Sequence, residues 1–138
     1  MNNVICVGGR KKEREIAHDV VAWCINKMMP RMKTLDIEVE FEKLDVFGYC
    51  ALGDTNREFT LSIQKGLSLY ELVSTICHEM VHVKQYARKE LRYVKGATMW
   101  KKKSYVNVDY NDAPWEKEAF GLEDKLAAEC LRDIKIAI

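Results

Sequence analysis

The chain has 138 residues, 48% hydrophobic and 31% charged, which fits one globular domain with a buried core. Its 22 basic and 21 acidic residues leave a net charge of +1, so no general field draws it toward nucleic acid or a membrane surface. Five widely spaced cysteines (Cys6, Cys24, Cys50, Cys77, Cys130) without a CxxC pair argue against a disulfide framework and a zinc ribbon, and point to reduced thiols in a cytoplasmic compartment.

At the start, "MNNVICVGGRKK" has no charge ahead of an apolar run too short for a signal peptide, and "GGRKK" lacks phosphate-loop spacing and reads as a turn. Residues 11–29 predict an amphipathic helix, with Ile16, Val20, Cys24 (or Ile25) and Met28 on one face, His18 along its length and Pro30 at its end. "DIEVEFE" (36–42) alternates strictly and predicts a half-buried strand; "VFGYCAL" (46–52) predicts a second and "REFTLSIQ" (57–64) a third, with "GDTN" as a turn between them. The period then changes. Ser68 and Glu71 form a capping box, and a long helix is expected from Leu69 to about Lys89.

Beyond it, residues 92–113 contain Gly96 between two short β-prone runs and read as a hairpin or irregular excursion. The run Lys101-Lys102-Lys103 within it reads as a solvated turn or strand edge. Pro114 suits a first helical position, and a final helix continues through Ala137. Nowhere do apolar residues run long enough to cross a bilayer. The order helix, three strands, helix, excursion, helix predicts a single α+β domain over 1–138, with a small sheet of three to four strands.

The long helix carries the chemistry. "STICHEMVHVKQY" (74–86) places His78 and His82 one turn apart, with Glu79 directly after the first. On a helical wheel Leu69, Leu72, Ile76, Met80, Val83 and Ala87 cluster about 170° from His78, so both imidazoles share a face away from the main apolar stripe. Two neutral nitrogens on adjacent turns can hold one tetrahedral Zn²⁺, and a carboxylate just outside its shell can take a proton from a bound water. The uncharged flanks Thr75, Ile76, Met80, Val81 and Val83 predict a buried helix, in which two unpaired imidazoles would be costly.

"TICHEMVHV" resembles the zincin metallopeptidase signature, with Thr75 at the position where Val or Thr is usual and Lys84 as a departure. The upstream "FGYCALGDTNREFTLSI" followed by the His-Glu helix resembles the small SprT-like zincins. No histidine follows His82, which excludes the metzincin pattern and the downstream histidine of SprT proteins proper, while His18 lies upstream on another helix. Of the downstream carboxylates, Glu116 and Glu118 open the last helix about 200° apart, so only one can face the metal, and periodicity does not decide between them. Glu118-Ala119 resembles the gluzincin pattern, which implies His78, His82 and Glu118 as ligands.

The same resemblance implies a minimal zincin fold and a zinc metalloendopeptidase with Glu79 as general base, acting on a peptide or protein substrate. It further implies an oxyanion-stabilising Tyr105 or Tyr110, and substrate pairing along the strand at 57–64. Two other readings compete. A zincin-like module could bind zinc and a partner peptide without turnover. A DNA-associated SprT-like protease would give Lys101–Lys103 a role, against the near-neutral charge.

Overall fold

Alternating apolar residues at 37, 39 and 41, and again at 59, 61 and 63, turn one face of each segment toward a core. Both segments are strands in the computed structural model, which describes residues 1–134. In chain order the elements are β1 (Asn3–Val7), α1 (Lys11–Met28), β2 (Asp36–Glu42), β3 (Gly48–Leu52), β4 (Glu58–Gln64), α2 (Leu69–Ala87), β5 (Leu91–Val94), β6 (Ala97–Trp100), β7 (Lys103–Tyr105), a 3-10 turn (Tyr110–Asp112) and α3 (Pro114–Ile134). The expected continuation of the last helix to Ala137 lies outside the described residues. The class is α+β, as the element order implies, with three helices and two small sheets.

The larger sheet has the order β1-β2-β4-β3, with β1, β2 and β4 parallel and β3 antiparallel to β4. Its first strand is an addition to the three expected from the sequence: "NVICV" pairs with β2 along its whole length. Ile37, Val39, Leu61 and Ile63 are fully buried beneath α1 and α2, and α3 packs on α2 and α1. The lysine run falls where a turn was expected: Lys101 and Lys102, both exposed and with positive φ, join β6 to β7. None of the described helices is long and apolar enough to cross a membrane.

One expectation is overturned. The strand at 57–64 is not the edge of the sheet, because β2 bonds to one side of β4 and β3 to the other. The physical reason is burial. Phe59, Leu61, Ser62 and Ile63 are all buried, as an interior strand requires, whereas β3 is short and exposes Tyr49 and Leu52.

β3 therefore forms the sheet edge next to β4, with β1 at the opposite edge, and Gly48 lets β3 lie close to α2. A Cβ at that position would sit 2.9 Å from both the Ser62 carbonyl oxygen and the Thr75 methyl group. The missing side chain draws the sheet edge up to the His-Glu helix.

Candidate metal centre

Helix α2 starts with the expected box. Ser68 Oγ accepts from the Glu71 amide at 3.2 Å, and Glu71 Oε1 accepts from the Ser68 amide at 3.0 Å. From Leu72 to Val83 every residue is buried, because the sheet and α1 cover one side of the helix and α3 the other. The apolar stripe takes the sheet side. That leaves His78 and His82 facing α3, with ring centroids 5.0 Å apart and planes at 76°.

A carboxylate comes to meet them, and it is Glu116. Its Oε1 lies 3.1 Å from His78 Nε2 and 3.1 Å from His82 Nε2. The three ligand atoms lie within 4.8 Å of one another, a buried group able to hold a metal ion. Glu118, favoured by the gluzincin resemblance, goes elsewhere: its Oε1 accepts from Lys84 Nζ at 2.8 Å and from Gln85 Nε2 at 3.0 Å. The difference is rotational. Glu116 shares an inner line of α3 with Ala119, Glu123, Leu126 and Cys130, whereas Glu118 turns toward the C-terminal half of α2. His18 is remote from the cluster, exposed on α1 beside Asp19.

The outer nitrogens decide what the centre can hold. His78 Nδ1 lies 3.0 Å from Glu123 Oε1, an acceptor. His82 Nδ1 lies 2.8 Å from Gln85 Oε1, and the Gln85 amide cannot be reversed, because its Nε2 already donates to Trp115 O at 2.9 Å and to Glu118. Each Nδ1 therefore carries hydrogen, and each neutral ring points the Nε2 lone pair inward. Two lone pairs and a carboxylate oxygen then meet at hydrogen-bond distance, which is repulsive unless a cation lies among them.

The protonation tendencies agree. Burial alone would lower both histidine pKa values and raise that of Glu116. Instead the bonds to Glu116 raise both histidines, and the two imidazoles hold the Glu116 carboxyl down at about 2. A proton on nitrogen does what a divalent cation would do better for two nitrogens and one oxygen. Such a donor set suits zinc.

Glu79 is 6% exposed and lines the cleft beside the cluster, without a hydrogen-bond partner among the described residues. Burial raises its pKa, against the opposing pull of the two imidazoles. The cleft, about 360 Å³, lies between the β3 edge and the 3-10 turn, with Cys50, Tyr86 and Trp115 in its walls. Of the two tyrosines considered, Tyr110 borders this cleft, and burial together with the Glu116 charge pushes its phenol up to about 12. Tyr105 stands edge-on to Trp115 at 5.7 Å.

Gln85 and Glu123 were not singled out from the sequence, yet both were legible there. Gln85 is three residues past His82, on the same helical face, and Glu123 sits midway between Glu116 and Cys130 at a spacing of seven. Comparisons with models of known families, with curated proteins and with solved structures find no match to this chain.

Proposed function

We propose that this protein is a zinc-dependent endopeptidase of the zincin type, with the metal held by His78, His82 and Glu116. One observation carries the reading: three buried electron-pair donors converge while the outer face of each imidazole is already committed to an acceptor. The His-Glu motif on a buried helix that follows the strands supports the zincin assignment. Free thiols, three of them buried, support a cytoplasmic setting.

Zinc in this donor set supplies Lewis acidity and makes a water ionisable near neutral pH. The chain's own residues do the rest. Glu79, poised by its burial, takes the proton from water in the cleft and delivers it to the departing amine nitrogen. Tyr110 reaches the same cleft and donates its hydroxyl to the carbonyl oxygen as negative charge develops there.

The open edge of β3 offers backbone groups to an extended substrate. Phe47 accepts from the Gln64 amide and Gly53 donates to Glu58, so alternation turns the backbone groups of Gly48, Cys50 and Leu52 outward. Pairing there imposes little sequence preference on its own.

Metal analysis is the test. Wild type and Glu118→Ala are expected to retain about one zinc per chain, and His82→Ala and Glu116→Ala to lose it. Only zinc-loaded wild type and Glu118→Ala should then cut an unfolded protein. Stoichiometric zinc in His82→Ala, or no zinc in wild type, would refute the site.

A further inference from the structure

We infer that the small sheet β5-β6-β7 is a basic guide beside the cleft, which draws in polypeptide substrates carrying acidic residues on the N-terminal side of the scissile bond. The inference rests on the peptidase reading and names its substrate class. Charge is unevenly divided along the chain. Residues 88–105 hold seven basic residues (Arg88, Lys89, Arg92, Lys95 and Lys101–Lys103) against one acid, Glu90, whereas the remaining residues hold 15 basic and 20 acidic ones. All seven are exposed. Among the described residues none of them pairs with a carboxylate, while Glu90 lies 3.0 Å from Lys84 Nζ. A net charge near zero thus conceals a strongly positive lobe on an otherwise acidic molecule.

Both hairpins of the lobe turn on lysine. Val94 pairs with Ala97 and Trp100 with Lys103, so the turns have two central residues each, Lys95-Gly96 and Lys101-Lys102. All four have positive φ (49°, 81°, 48° and 74°), a turn type in which Asn-Gly or Gly-Gly is usual. With Lys89 at 60°, lysines of this lobe account for four of the five described residues other than glycine that have positive φ. That conformation is unfavourable for a side chain with a Cβ. What lysine adds there in return is charge projected into solvent.

The lobe opens on the cleft. Leu91 lines the cleft and pairs with Trp100, which pairs with Lys103, so Lys103 stands two strands, about 10 Å, beyond the cleft wall. The Lys101 amide donates to Glu90 O at 2.7 Å, which holds the basic turn against the residue before Leu91. At its other end the cleft adjoins a smaller compartment that has Glu123 in its lining. β3 runs from Gly48, which borders both spaces, to Cys50, which borders the cleft alone. An antiparallel partner, the stronger pairing, therefore runs from the lobe side toward Glu123. Acidic side chains about three to five positions before the reacting bond then meet the lysines.

A single-stranded nucleic acid is the rival polyanion. It needs aromatic faces on which bases stack. Here Trp100 is 9% exposed beneath Lys101, and Tyr105 lies edge-on to Trp115 with Lys103 over its ring. The acidic remainder of the molecule repels a phosphate chain that runs past the lobe.

The test uses peptides of about 14 residues with a common Ala-Phe-Leu-Ala centre, preceded by a short run of Glu, Gln or Lys, or followed by the Glu run. At low salt, zinc-loaded wild type is expected to cut the Glu-first peptide with kcat/KM at least about tenfold above the Gln-first one. About 0.5 M salt should remove most of that margin. So should the triple variant Lys101→Gly, Lys102→Gly, Lys103→Gln, whose glycines suit the turn and keep the fold. Binding to zinc-loaded Glu79→Gln is expected to follow the same order and decides wherever a peptide is not cut. Equal results for Glu and Gln, preference for Lys, a gain from the Glu run only when it follows the centre, or tighter binding of an oligothymidylate of about 20 nucleotides would overturn the inference. Cleavage of an unfolded protein would then still uphold the peptidase reading. If Glu79→Gln prefers the Glu-first peptide while wild type cuts nothing, the basic guide stands and the peptidase reading falls; if neither protein binds or cuts anything, both fall.

Discussion

Gln85 accepts a hydrogen bond from His82 Nδ1 at 2.8 Å, and its own amide nitrogen is anchored on α3 through Trp115 O and Glu118. Gln85 is fully buried, so these are its partners in place of water. It both selects the tautomer of His82 and fixes that ring relative to the helix carrying Glu116. Gln85→Leu keeps most of the volume and removes the acceptor. Zinc affinity is expected to fall about 10- to 100-fold, read by competition against a chromogenic chelator, with an unchanged far-UV spectrum. Equal affinity would mean that something else orients His82.

In the proposed mechanism Glu79 is the proton acceptor, and it stands outside the His78-His82-Glu116 group. Glu79→Gln is expected to bind zinc as wild type does and to lower kcat by at least about 100-fold. Metal content and single-turnover cleavage, measured on the same preparation, separate the two effects. Full proteolysis in the variant would remove Glu79 from the mechanism.

Glu13 ties two parts of the fold together away from the site. It is 3% exposed, and its oxygens accept from the Arg10 amide at 2.8 Å and the Gly66 amide at 2.8 Å. Burial pushes its pKa up, yet those backbone donors and the Arg10 charge hold it below the ordinary glutamate value. The unfolded chain thus takes up this proton first as pH falls. The stabilisation is complete above the unfolded pKa and is lost as pH drops through the folded one. Glu13→Gln should cost about 1.5–3 kcal/mol at pH 7, and the gap to wild type should narrow below about pH 4. Urea melts at pH 7 and pH 3.5 provide the comparison.

Lys89 closes α2 in a left-handed conformation, φ 60°, where glycine is the usual residue. The Glu90 amide bonds to Gln85 O at 2.8 Å and the Lys89 amide to Tyr86 O at 3.0 Å, the paired bonds of a Schellman ending. The side chain is exposed and makes no contact that a substitution would forfeit. Lys89→Gly should raise stability by about 1 kcal/mol, seen as a higher urea midpoint with an unchanged slope. A lower midpoint would show that the lysine makes an unrecognised contact.

Elements with a single clear period were legible in the sequence. The alternation of Ile37, Val39 and Phe41, the capping box at Ser68 and Pro114 at the first turn of α3 each mark a local preference that the fold keeps. The four residues "VICV" were not read as a strand, because a short apolar run without alternation carries no period of its own; β1 is defined by its parallel pairing to β2. Which strand forms the sheet edge is likewise a matter of pairing, invisible in either strand alone. The pair His78 and His82 could be found because both lie on one helix. Choosing between Glu116 and Glu118 needed the rotation of a second helix, which is set by how Ala119, Leu126, Ala127 and Cys130 pack. The family pattern pointed to Glu118, whereas the carboxylate that meets both imidazoles is Glu116, at a seven-residue spacing from Glu123.

Both acidic partners of His78 come from α3, two turns apart on one rigid rod, and the nearer of them lies 38 residues downstream of that imidazole. A growing chain therefore exposes its imidazoles long before it owns the carboxylates that complete them. Until α3 is synthesised and seated against α2 the His78-His82-Glu116 cluster does not exist, and a cut between Tyr110 and Pro114 would leave its imidazoles and its carboxylate on separate chains without touching any residue of α2.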